Sequence, residues 1–146
     1  MSLRDDTTTT QPGHARCDDP SANDSIDDAS VQDLDRILAR QSLTPAFAPI
    51  AELRLRDPHG YRGQVSGPTD SPLRLPLTLF GVAEHCGRSA ELTLAALNSL
   101  ATQFQAQGLG GKLFYRVRRA TLYDPGFCAD RLQDTLTQAG LEPDRL

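Results

Sequence analysis

Large apolar side chains are nearly absent from the first 29 positions and then recur with helical or strand period to the end of the chain. Between Met1 and Ala29 only Leu3 and Ile26 are large aliphatics, set among four consecutive threonines and several aspartates. A stretch with so little to bury cannot offset the entropy lost on ordering. This predicts a disordered acidic, threonine-rich tail over 1–29 and a folded unit over 30–146. Ser30 has the place of an N-cap with Asp33 three residues on, and Val31, Leu34, Ile37 and Leu38 form one helical face that Pro45 ends. From Ala46 to Arg56 the second half alternates, with Leu53 and Leu55 opposed to Arg54 and Arg56, which is strand period. Pro49 places that segment at a sheet edge or a strand start.

Asp57–Gly60 reads as a turn and Tyr61–Ser66 as a second strand, followed by a proline-containing loop up to Pro76. Pro76 suits the first turn of a helix over Leu77–His85, which presents Leu79, Phe80 and Ala83 and stops at Gly87. Ser89 is placed to cap the longest helix. It runs to Gln107 with an apolar stripe of Leu92, Ala96, Leu97, Leu100 and Phe104, and Gly108, Gly110 and Gly111 end it. Lys112–Arg119 is the strongest strand pattern, and Asp124-Pro125 is placed to open a last helical segment with Phe127, Leu132, Leu136 and Ala139 before Gly140. The predicted order is α, β, β, α, α, β, α. Strands alternating with helices indicate a parallel α/β sheet covered by helices, although three strands are few for one.

At 146 residues the chain holds one domain. The formal net charge of −4 argues against a nucleic-acid polymer as partner, because such binding draws on clustered Lys and Arg. The negative excess sits in the tail, so the remainder is close to neutral. No run reaches the ~18 apolar residues of a membrane span, and the amino terminus has no apolar signal core. A soluble cytoplasmic protein without a membrane partner is therefore expected. Cys17, Cys86 and Cys128 are odd in number and lack CxxC spacing, and His14, His59 and His85 are scattered, so neither a disulfide framework nor a metal site is expected. Cys86 and His85 read as a packed thiol and a helix-end cation.

Three stretches carry a more specific pattern: "FAPI" at Phe47–Ile50, "GYRGQVSGPTDSPLRLPLTLFGVAEHCGR" from Gly60, and "KLFYRVRRATLYDPGF" from Lys112. Together they resemble the first half of an EAL domain, the family of cyclic di-GMP phosphodiesterases. Its members read F-Q-P-I on the first strand and G-Y-E-A-L-x-R-G-P on the second, then a helix with P-x-x-L-F, a strand ending in N-x-S-P, and D-P-x-F. The resemblance covers Ser30 to Leu146. It implies a partial (β/α)8, TIM-type barrel of about three strands with flanking helices, in which the first strand runs against the others and the site lies at the carboxyl ends. It also implies Mg²⁺ or Mn²⁺ as the family's cofactor.

The departures from that pattern fall on ligand and metal positions. Ala48 stands at the glutamine of Q-P-I and Arg62 at the metal-binding glutamate of E-A-L, followed by Gly63 and Gln64. Ser66 replaces the arginine that steadies the ligand, and Arg116 the metal-binding asparagine, with Arg118 and Arg119 at the serine and proline after it. The positions retained are turn and packing residues such as Phe47, Pro49, Gly60, Tyr61, Gly67, Pro68, Pro76, Phe80 and Asp124. A guanidinium offers donors and no acceptor, so it repels a hard cation that needs oxygen ligands. The expectation is no catalytic residue, no bound metal and no cyclic di-GMP binding.

Arg62, Arg116, Arg118 and Arg119 are candidates for a metal-free anion site, since guanidinium forks suit phosphate. The alternative is that they are solvated strand-end side chains. Tyr61, Tyr115 and Tyr123 are a weaker candidate for a base-stacking platform, because aromatics at strand positions usually belong to the core. A partial barrel leaves its inner face and outer strand edges open, and Phe47, Ile50, Tyr115 and Val117 are the residues expected there. Two functions follow: an inactive EAL-like domain acting through a protein partner or self-association, or the amino-terminal part of a longer EAL-type phosphodiesterase or receptor.

Overall fold

Residues 27–54 and 58–146 are described by the structure, a computed structural model. Most of the predicted tail lies outside them, but 27–29 belong to the first helix and its cap. Helix α1 spans Asp28–Arg40, and its cap is Asp27, one turn ahead of the expected Ser30. The Asp27 carboxylate accepts from the Ser30 backbone N–H at 3.3 Å and from the Ser30 hydroxyl at 2.7 Å, so the serine is the third helical residue and satisfies the cap. Those bonds hold the Asp27 carboxyl below the usual carboxylate range. Gln41, in the left-handed region at φ 50°, ends the helix before Pro45 is reached.

Strand β1 spans Thr44–Ala51 and pairs antiparallel with β2, Pro58–Ser66, whereas β2 pairs parallel with β3, Lys112–Tyr115. The sheet order is β1-β2-β3. The alternation at Leu53 and Arg54 does not extend β1, because the pairing with β2 is used up between Thr44 and Ala51; Leu53 is fully exposed. Leu55 and Arg56 lie outside the described residues. Strand β2 begins at Pro58, within the expected turn. Strand β3 is half its predicted length: the chain leaves the sheet after Tyr115, so Val117, Arg118 and Arg119 are not strand residues.

Helix α2, Pro76–His85, follows a 3-10 turn at Pro72–Arg74 and lies where the pattern places it. Helix α3, Ser89–Ala106, has Arg88 rather than Ser89 at its cap. Ser89 is buried, while the Arg88 guanidinium bonds Glu91 at 2.7 and 2.9 Å and also reaches Asp35, tying α1 to α3. Both carboxylates hold the Arg88 charge more firmly than usual. A short α4 follows at Arg119–Leu122. Asp124-Pro125 makes a turn, with the Asp124 carboxylate accepting from the Gly126 N–H at 2.8 Å, and α5 starts only at Ala129 and runs to Gln138.

Helix α3 lies against one face of the sheet and supplies the centre of the core through Leu92, Ala96, Leu100 and Phe104. The Phe104 ring sits 5.8 Å from Phe47 on β1 and 6.0 Å, edge-on, from Tyr61 on β2, and the Arg145 guanidinium caps it at 5.2 Å. Two glycines permit close backbone approach. A Cβ on Gly67 would run into the Leu73 carbonyl, and Gly111, at φ +76°, lies against the His59 carbonyl. The opposite face of the sheet has no helix on it among the described elements.

That open face differs from the expected one. Phe47 and Tyr115 turn towards the helices and pack on the core. Because side chains alternate along a strand, Phe114, one residue before Tyr115, points the other way and is 39% exposed. Of the expected set, Ile50 does lie on the open face, at 36% exposed, whereas Val117 falls past the end of β3.

Candidate functional site

The cross-strand register builds the site. Ala48 on β1, Arg62 on β2 and Phe114 on β3 stand side by side on the open face, and Gln64 lies two residues further towards the carboxyl end of β2. Beyond Tyr115 the chain turns away into Arg116 and Val117, and Arg118 precedes α4, whose first residue is Arg119. Between these strand ends and the first turns of α2 a cleft of about 750 Å³ opens, walled by the four arginines, Gln64, Val65, Tyr115 and Val117, and across from them by Pro76, Leu77 and Phe80. All four predicted anion-site arginines thus meet at one cavity. Ala48 and Ser66 do not line it; Ser66 pairs with Thr44 at the end of the ladder.

The four cations differ in their neighbours. Arg118 donates to the Glu84 carboxylate at 2.6 Å and lies 5.8 Å over the Phe80 ring. Among the described residues no carboxylate comes within ion-pair distance of Arg62, Arg116 or Arg119. No Asp or Glu lines the cleft. The Tyr115 hydroxyl is pushed up to about 12, first by burial, with the nearby Arg118 charge opposing the shift.

The three tyrosines do not form one stacking surface. Tyr61 turns into the core beside Phe104, Tyr115 is half-buried at the cleft, and Tyr123 at the end of α4 is 78% exposed. Among the described residues no three His, Cys, Asp or Glu side chains cluster as a cation's ligands would. His59 lies 6.2 Å from the Phe114 ring, Cys86 is half-buried and Cys128 exposed. His14 and Cys17 fall outside the described residues. The residues that sequence reasoning missed are Leu77 and Phe80. Their signal was present in the helical wheel: Leu79 goes to the core, so Leu77, about 200° away on α2, must turn outward, and it is 77% exposed.

A reversed first strand, a second strand parallel to the third, helices on one face and a cleft at the carboxyl ends define a sector of an α/β barrel. No family model and no curated protein matches the chain. Among solved structures, the FimX EAL domain of Xanthomonas citri, determined in complex with c-diGMP, matches it with a TM-score of 0.63 at 18% sequence identity. The match covers 80% of this chain and 46% of that one, so the fold is that of part of an EAL domain, spanning about half its length. Among the described residues no helix is long and apolar enough to cross a membrane.

Proposed function

We propose that this chain is a catalytically inactive EAL-like domain of cyclic di-GMP signalling, with its folded unit at 27–146, working in the cytoplasm through a protein partner or a second copy of itself. The observation that carries this reading is Arg62, which stands exposed on the open face in register with Ala48 and Phe114. A divalent ion such as Mg²⁺ or Mn²⁺ needs several hard oxygen ligands. Along the rows of Arg62 and Arg116 the side-chain oxygens among the described residues are the neutral Gln64 amide and Ser66 hydroxyl, with no carboxylate, and two guanidiniums repel a cation. These residues do not fit the ion, and no hydrolytic step is derived through it.

Association has its support in the sheet. Pro45 and Pro49 lie in one phase of the edge strand β1, where a missing N–H is tolerated only if it faces outward, so they remove donors from that rim. The outer rim of β3 has no proline and lies beside the open face that carries Phe114 and Ile50. Incubating the protein with cyclic di-GMP and manganese or magnesium tests the inactivity: no linear dinucleotide is expected, and its release would overturn the reading. The 46% span of the FimX domain favours a second reading, the amino-terminal part of a longer EAL-type phosphodiesterase or receptor. Hydrolysis regained by a longer chain carrying Arg62→Glu and Arg116→Asn, and absent without those changes, would support it.

A further inference from the structure

The three arginines without a carboxylate partner are exposed and open to an anion, and their surroundings define its chemistry. Arg62, Arg116 and Arg119 converge on one cleft from β2, from the segment after β3 and from α4, with no acid in its lining. Like charges lining one cleft gain from an anion placed among them. Arg118 is already committed to Glu84, so it serves as a wall rather than a ligand. A phosphodiester carries one charge on each phosphate and would leave the cluster undercompensated, whereas a pyrophosphate concentrates two or three charges within a few ångströms. Guanidinium forks match phosphate oxygens in pairs. The cavity volume of about 750 Å³ lies within the range of small-molecule pockets, and Leu77, Phe80 and Val117 give it an apolar wall.

We infer that this cleft binds a small molecule bearing a pyrophosphate group, held by Arg62, Arg116 and Arg119 without a metal ion, with the organic part of the ligand against Leu77 and Phe80. The inference rests on the reading that no divalent ion occupies these strand ends. The phosphates lie across the guanidiniums, and no bond is made or broken.

The test is calorimetric titration of the full chain in EDTA with inorganic pyrophosphate, GTP and cyclic di-GMP. Pyrophosphate is expected to bind at one site, more weakly as salt rises. GTP should bind at least as tightly as pyrophosphate, and cyclic di-GMP roughly tenfold more weakly than GTP for want of paired charges. Arg62→Gln combined with Arg116→Gln should abolish the heat while circular dichroism stays unchanged, and Arg36→Gln, away from the cleft, should leave binding intact. Silence with pyrophosphate at millimolar concentration, full binding by the folded double variant, a strict magnesium requirement, or cyclic di-GMP binding as tightly as GTP would overturn the inference. Release of linear dinucleotide, measured separately with manganese, strikes at the inactive-domain reading alone.

Discussion

Arg118 reaches back from the turn after β3 to Glu84 near the end of α2, at 2.6 Å, and on the way its guanidinium passes 5.8 Å from the Phe80 ring. One side chain therefore ties the third strand's end to the helix that follows the second. The contact is partly exposed, so the pair and the ring contact together are worth about 1 kcal/mol. Arg118→Ala should lower the unfolding free energy measured by urea denaturation by that amount. Arg62→Ala should leave it unchanged or raise it, because among the described residues Arg62 has no carboxylate partner. Equal destabilisation by both variants would show that the four cations are not divided into a structural one and three free ones.

Phe104 is fully buried between Phe47, Tyr61 and the Arg145 guanidinium. Truncation to alanine opens a cavity where helix and sheet meet and should cost ~3–5 kcal/mol. For a domain of marginal stability that is a large share of the total, and thermal denaturation should show a broadened transition or none.

Two glycines separate tolerable from intolerable crowding. A Cβ at Gly63 would meet the Leu100 Cδ2 methyl at 2.8 Å and the Leu113 Cδ1 methyl at 3.1 Å, the ends of buried side chains that can repack where backbone cannot. Gly63→Ala should therefore fall at the low end of the cost of an added core methylene, ~1 kcal/mol. At Gly67 the obstacle is the Leu73 backbone carbonyl, next to the 3.1 Å bond from the Gly67 N–H to the Arg74 carbonyl. Gly67→Ala should cost ~2 kcal/mol or more, since backbone must move. Chemical denaturation of the two variants side by side reads the difference.

Burial raises the Tyr115 hydroxyl from 10.0 to about 12, so the folded state keeps its proton where the unfolded chain has lost it. Below pH 10 both states are protonated and stability is unaffected. Between pH 10 and about 12 the unfolded state binds fewer protons, and stability falls by at most ~3 kcal/mol. Tyr115→Phe should remove that part of the alkaline loss, measured as urea midpoints across the window.

The order of helices and strands was legible in the chain because helix faces such as Leu92 to Phe104 and the glycines after them are local signals. The resemblance added the reversed first strand, which no periodicity contains. Sheet facing was not legible at β3: Phe114 and Tyr115 are both aromatic, and only pairing with Arg62 and Gly63 decides which one faces the helices. The length of β1 was misread for a related reason. Leu53 has strand period, but β2 holds no remaining partner for it. The arginines were found as a group because they occupy equivalent places in a motif, while Leu77 and Phe80 join them only through the packing of α2 beside the strand ends.

Self-association should appear in light scattering as a mass that rises with concentration and then stops at two copies, and a monomer throughout the range would exclude it. The stop follows from Pro45 and Pro49. With two outward positions of the β1 rim, Pro45 and Pro49, lacking a donor, the β3 rim is the better one for pairing among the described strands, and two such rims can satisfy one another about a twofold axis. Head-to-tail stacking into fibres needs a donor rim at both sides of every subunit, so the prolines confer resistance to polymerisation on a sheet that is otherwise half uncovered.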